Sequence, residues 1–146
     1  MKIVIINCGK VKRNIVTTAN NMYIGKLFQK SYNYAKSLNP DKIFILSAKY
    51  GLLEENEVIA PYDMTLKGKS IKEVKEWSNM VLNQFKEKNI DINTDEFVFL
   101  TSKSYIKYIL PYVKNYIYPI EHLRVGFRMK FFTEETNKNK ESLCII

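Results

Sequence analysis

Asp63, Lys49, Tyr50 and Tyr62 fall within one stretch of the sequence, residues 42–66, together with Ser47 and Gly51. A carboxylate, a cation and two phenols so placed can hold a flat polar ring, stabilise charge that develops on it, and move a proton. Asp63 follows Pro61 and Tyr62 on what reads as an ordered turn, so it is the first candidate for acid–base or charge-stabilising work. A turn-forming or helix-capping acid is the competing reading. Lys49 suits a phosphate or carboxylate, and equally a solvated loop. Tyr50 and Tyr62 offer faces on which a base can stack, or else they join the core. Gly51 reads as a backbone turn. A second set begins at Cys8, which stands among Lys10, Lys12 and Arg13. Their field favours a thiolate, while a small buried residue in a tight turn is the alternative. Gly9 beside it lets a backbone approach a ligand closely.

Several other chemistries are missing. There is no glycine-rich phosphate cradle and no nucleophile elbow around any serine. His122 is the only histidine, and Cys8 and Cys144 are the only cysteines, so a histidine-rich metal site and a cysteine cage are both excluded. Neither a metal nor a cofactor is expected.

The two sets follow continuous apolar runs, residues 2–6 and 42–47, which read as strands buried on both faces. Between them, Ile24, Leu27, Phe28, Ser31, Ala35 and Leu38 recur at helical spacing and predict a helix over about 22–38, closed by Asn39-Pro40. Ser70 with Glu73 forms a capping box that opens the next helix, whose inner face carries Ile71, Val74, Trp77 or Ser78, Val81 and Phe85. Trp77 reads as core. A third strand is expected at Glu96–Thr101, a helix at Ser104–Val113, an edge strand at Tyr116–Ile120 and a short last helix at Leu123–Phe132. Alternating strands and helices predict a three-layer α/β/α sandwich with a largely parallel sheet. That topology puts 7–13, 47–53, 101–104 and 120–124 on one carboxyl rim, where open sheets bind ligands. Residues 1–132 read as a single α/β domain and 133–146 as a polar C-terminal tail.

The chain has 146 residues, enough to bury roughly two-thirds of its unfolded surface as one domain. Hydrophobic content of 46% and aromatic content of 13% argue for a packed core. The formal charge of +8 favours an anionic partner, nucleic acid or a nucleotide-like small molecule. An ordinary Lys-rich surface is the competing explanation, since only Arg13, Arg124 and Arg128 are arginines. No apolar stretch approaches a membrane span and nothing marks secretion, so a reducing cytoplasm and no membrane partner are expected. The closing Leu143-Cys144-Ile145-Ile146 does not fit the prenylation pattern. Oligomeric state leaves no sequence signal.

A resemblance adds to this reading. Cys8-Gly9-Lys10-x-Lys12, Met22-Tyr23-x-Gly25-x-Leu27-Phe28, Ser47-Ala48-Lys49-Tyr50-Gly51-Leu52 and Ile59-x-Pro61-Tyr62-Asp63-x-Thr65-Leu66 resemble a bacterial and phage family of unknown function. That family is often labelled peroxide stress protein YaaA-like, and the resemblance covers residues 3–132. Leu123 to Phe131 resembles its closing helix. The order Cys8-x-x-x-Lys12, then Ser47-x-x-x-Gly51-Leu52, then Tyr62-Asp63 is more distantly similar to the catalytic domain of archaeosine synthase. That domain resembles the uracil-DNA glycosylase fold and acts on a modified base in nucleic acid.

These resemblances imply an enzyme of uracil-DNA-glycosylase-like fold that cleaves or exchanges an N-glycosidic bond. Asp63 would stabilise positive charge on the sugar and orient water. Tyr62 and Tyr23 would bound the base, with Tyr50, Gly51 and Gly9 lining the site. Lys49 and Lys12 would meet phosphate or the departing base, and Cys8 and Ser47 would shape the pocket. A base in duplex DNA would have to be flipped out, helped by a basic rim. Two alternatives stand beside this: a non-catalytic nucleic-acid-binding or stress-response module, and a transferase joining an amine to a modified nucleobase.

Overall fold

A computed structural model describes residues 1–145, with side chains through Ser142. The Cys144 side chain noted above lies outside the described ones. In chain order the elements are β1 (Lys2–Asn7), β2 (Thr17–Thr18), α1 (Ala19–Met22), α2 (Lys26–Ser37), β3 (Lys42–Ser47), β4 (Gly51–Glu54) and β5 (Val58–Ile59). They continue with α3 (Ile71–Glu87), β6 (Glu96–Leu100), α4 (Lys103–Ile106), a 3-10 turn at Leu110–Tyr112, β7 (Tyr116–Ile117) and α5 (Val125–Ile145).

Alternation along the strands decides the layering. Ile3, Ile5, Phe44, Leu46, Phe97 and Phe99 point to one side, where Trp77, Val81 and Phe85 of α3 cover them. Val4, Ile6, Ile43, Ile45, Val98 and Leu100 point to the other, against Phe28 and Ala35 of α2 and Phe132 of α5. The five-stranded sheet has the order β4-β3-β1-β6-β7. β3, β1, β6 and β7 run parallel, and β4 is antiparallel to β3 at the edge. The protein is therefore mixed α/β, with a mostly parallel central sheet between two helical layers.

Local details differ from the sequence expectation for physical reasons. The helix expected at 22–38 starts at Lys26, because Tyr23 is drawn into an extended bridge with Lys12. Residues 51–53 do not stay on the rim as a loop: Gly51, at φ +73°, turns the chain back as β4. Gln84 of α3 clamps that turn, donating to the Tyr50 carbonyl at 2.9 Å and accepting from the Leu52 amide at 2.7 Å. After β6 the helix stops at Ile106 and only a 3-10 turn follows, with Pro111, which has no N–H, inside it. The capping box forms as expected, the Ser70 hydroxyl accepting from the Glu73 amide at 3.1 Å. The largest difference is at the end. Residues 133–145 are not a tail but the continuation of α5, which lies along α2. Its polar residues are used there: buried Thr136 donates to the Phe132 carbonyl, and the Asn139 amide donates to Ser37 Oγ at 2.9 Å.

Candidate functional site

From the carboxyl end of β1 the chain departs toward β3, and from that of β6 it departs toward β7 on the other side. Connections that part between neighbouring parallel strands leave a crevice at their ends. A cavity of about 260 Å³ opens there, lined by Asn7, Cys8 and Gly9 at the end of β1 and by Leu100 and Ser102 at the end of β6. Leu27, Phe28, Ile120 and Phe132 give it apolar walls, and Lys10, Lys26 and Arg128 carry positive charge to its lining. The first turn of α2 also faces it, with Gly25 at the N-cap and no side-chain cap or acidic residue. Those free amides add the positive end of a helix dipole. Arg128 is held by its Nε, which donates to the Leu123 carbonyl at 2.8 Å. Gly9 packs against Tyr23 and Phe28, where a Cβ would stand in van der Waals contact at 3.4 Å from the Cβ of each.

Beside the cavity lies a chain of hydroxyls. Ser47 Oγ donates to Tyr62 OH at 2.8 Å and accepts from the amides of Lys49 and Tyr50 at 3.2 and 3.0 Å. The Tyr62 and Tyr23 hydroxyls are 2.6 Å apart. The indole of Trp77 donates to the Ser47 carbonyl at 3.1 Å, so this tryptophan serves the core and props the turn. Cys8 Sγ lies 3.8 Å from Tyr105 OH, in reach of a sulfur hydrogen bond. Burial raises the pKa values of Tyr23 and Tyr62 well above the usual phenol value, and nearby Cys8 raises them further. Tyr105 is pushed up to about 12, by burial first and then by Cys8. All three phenols are proton donors across the ordinary pH range. Cys8 lines the cavity and also reaches Tyr105, which packs edge-on against Trp77 below the network.

The residues singled out from the sequence divide accordingly. Cys8, Gly9, Lys12, Tyr23, Ser47 and Tyr62 come together on the rim. Within that group Tyr23 and Ser47 are fully buried with their hydroxyls engaged, so they form the wall behind the site. Lys12 Nζ sits 4.5 Å over the centre of the Tyr62 ring. Tyr50 packs edge-on against Tyr62 with ring centres 5.5 Å apart, and exposed Lys49 lies over Tyr50. Gly51 serves the β3–β4 turn. Asp63 is exposed on the loop that Tyr62 pins to the rim, and its carboxylate makes no hydrogen bond or ion pair among the described residues. The sequence reading put 7–13 and 101–104 on the rim without singling out Asn7 or Ser102, and it missed Lys26, Tyr105 and Arg128. The end of β1, the start of α2 and the segment after β6 were the available signal for the first four. Among the described residues no group of three His, Cys, Asp or Glu side chains is placed to hold a metal ion.

Fold and site together define a mixed α/β protein with an apolar-walled, cation-lined cavity at the carboxyl rim of a mostly parallel sheet. The chain belongs to the family of unknown function DUF6884, which matches residues 3–134. No curated protein matches it. No helix among the described residues is long and apolar enough to cross a membrane.

Proposed function

We propose that this protein is a nucleobase- or nucleoside-acting enzyme that cleaves or exchanges an N-glycosidic bond at the Cys8 rim. The observation that carries the reading is the cavity itself: apolar walls and a few polar edges suit a flat heterocycle, and three cations suit an attached phosphate. A uracil-DNA-glycosylase-like arrangement accords with a ligand crevice at the carboxyl ends of β1 and β6. A reducing cytoplasm is the proposed setting, in which Cys8 stays a free thiol.

In hydrolysis the C1′–N bond breaks with its electron pair leaving on the base. Water adds to C1′, and its proton ends on the departing nitrogen. Asp63, on the loop over the rim, is the group assigned to face the sugar's developing positive charge and orient that water. Lys10, Lys26 and Arg128 hold phosphate, and the high-pKa phenols keep protons near the departing base.

Base release from a panel of nucleosides, nucleotides and oligonucleotides, run on the wild type and Asp63→Asn, tests this. The substitution keeps size and hydrogen-bonding capacity while removing charge. Turnover should fall about 10²-fold or more with binding nearly unchanged, a size in keeping with one electrostatic group. A fully active Asp63→Asn protein contradicts the mechanism. The second reading, a non-catalytic nucleic-acid-binding module, is favoured by one observation: no carboxylate lines the cavity. It predicts saturable binding by the wild type with no base released.

A further inference from the structure

A second concavity lies away from the rim cavity, an open groove of about 820 Å³ along one side of α3. Asn79, Asn83 and Lys86 of α3 line it with Asn89, Asn93 and Tyr112, over an apolar base of Leu82, Phe85, Ile90 and Ile92. Lys75 precedes Asn79 by four residues on the same helix, so Lys75, Asn79, Asn83 and Lys86 share one stripe. The stripe spans roughly 16 Å at 1.5 Å per residue, the length of a few nucleotides. Tyr108, four residues before Tyr112, carries two ammonium groups near its ring: Lys75 Nζ at 5.3 Å and Lys107 Nζ at 5.5 Å from its centre. No carboxylate forms a salt bridge with Lys75, Lys86 or Lys107 among the described residues. The one acid of the groove, Asp91, accepts from the Asn93 amide at 2.9 Å and so serves its own turn.

We infer that this groove holds a single-stranded segment of nucleic acid, so that the rim site takes its base from a polynucleotide and not as a free nucleoside. The inference rests on the nucleobase reading of the rim, whose substrate class it narrows. Lys86 in the groove and Lys75 and Lys107 beside it match phosphates, the rings of Tyr112 and Tyr108 match unpaired bases, and asparagine amides offer both donors and acceptors to base edges. An acidic peptide or an anionic lipid surface would use the cations and the amides but bring no flat base to stack on the rings. Continuity favours the same occupant. α3 starts where the loop bearing Tyr62 and Asp63 ends, and Tyr105, which meets Cys8, precedes Tyr108 by three residues. Lys75 and Tyr108 stand outside the groove lining on the side toward the rim, so a strand leaving the rim meets them before the groove. A base entering at Tyr108 displaces an ammonium group from the ring, and the long lysine stem turns it toward a phosphate.

The test is a fluorescence-anisotropy titration of the full chain with a labelled oligothymidylate of about a dozen nucleotides, repeated over a salt series. Wild-type affinity should fall steeply with salt. Lys75→Ala with Lys107→Ala should make the log–log slope shallower by about 1.4, the loss of two single-strand phosphate contacts. Tyr108→Ala should weaken binding about 5-fold or more with the slope unchanged, and Tyr108→Phe should bind like wild type. Duplex of the same length should compete poorly, since its bases are not free to stack. The proposal is overturned if Tyr108→Ala binds as tightly as Tyr108→Phe, if the double-lysine variant keeps the wild-type slope, or if a polyglutamate peptide competes as well as the oligonucleotide. Two outcomes separate this inference from the reading beneath it. If the oligonucleotide follows the expected pattern and no base is released from any substrate, the catalytic reading fails while the groove assignment stands. If free nucleosides are turned over and the groove variants bind like wild type, the groove assignment alone fails.

Discussion

Tyr62 ties three parts of the chain through one oxygen: its own loop, Ser47 at the end of β3, and Tyr23 before α2. Tyr62→Phe leaves the hydroxyls of Tyr23 and Ser47 without that partner in a buried setting. The expected cost is about 1–3 kcal/mol, read as a lower denaturant midpoint with an unchanged slope. A midpoint equal to wild type would mean the network contributes nothing to stability. The phenols also set an alkaline limit. Tyr105 ionises near 10 when unfolded and about 12 when folded, so the unfolded chain loses its proton first. Its contribution is fully present below about pH 10 and is lost as pH rises toward about 12, because the folded state then binds more protons than the unfolded one. Stability measured across that window should decline, and Tyr105→Phe should flatten the decline. A profile unchanged by Tyr105→Phe would contradict the assignment. At this scale the sequence showed residue types but not their meetings. Tyr23 and Tyr62 are 39 positions apart, and no local pattern announces that their hydroxyls meet, with Ser47 donating to Tyr62.

Elements fixed by local chemistry were legible, and those fixed by tertiary packing were not. The capping box of α3 is a matter of four residues, so it could be read directly. Ser70→Ala should cost about 1 kcal/mol, seen as a small drop in Tm. The end of α5 shows the opposite case. Thr133 to Ser142 has the composition of a solvated tail, yet α2 supplies a surface on which Thr136 is buried and Asn139 finds Ser37. Packing then overrides a weak amphipathic pattern. Removing residues 133–146 should therefore cost about 2 kcal/mol or more and lower Tm by roughly 6 °C or more. A truncated chain that melts with the full one would restore the tail reading. β4 was hidden for a similar reason: the left-handed Gly51 and the Gln84 clamp make the hairpin, and Gln84 is 32 residues from the amide it holds.

On the scale of the whole molecule, the parallel sheet and its rim followed from strand–helix alternation, because buried apolar strands leave few other architectures. The cavity did not. It forms where three separated segments meet, after β1, at the start of α2 and after β6, with α5 closing one wall. The net charge of +8 gains meaning from that placement, since Lys10, Lys26 and Arg128 share one cavity. The central claim is that a phosphate-bearing, base-like ligand sits there. The most direct measurement is calorimetric binding of a nucleoside monophosphate and of the parent nucleoside, on the wild type and on Lys10→Glu with Lys26→Glu. Both lysines are exposed, so the reversal should leave the fold intact, and an unchanged Tm verifies it. The account predicts that the wild type prefers the monophosphate by about 10-fold or more, the scale of one or two charge-assisted contacts, and that the preference disappears in the variant. A wild type that binds neither compound, or a preference that survives the charge reversal, would contradict it.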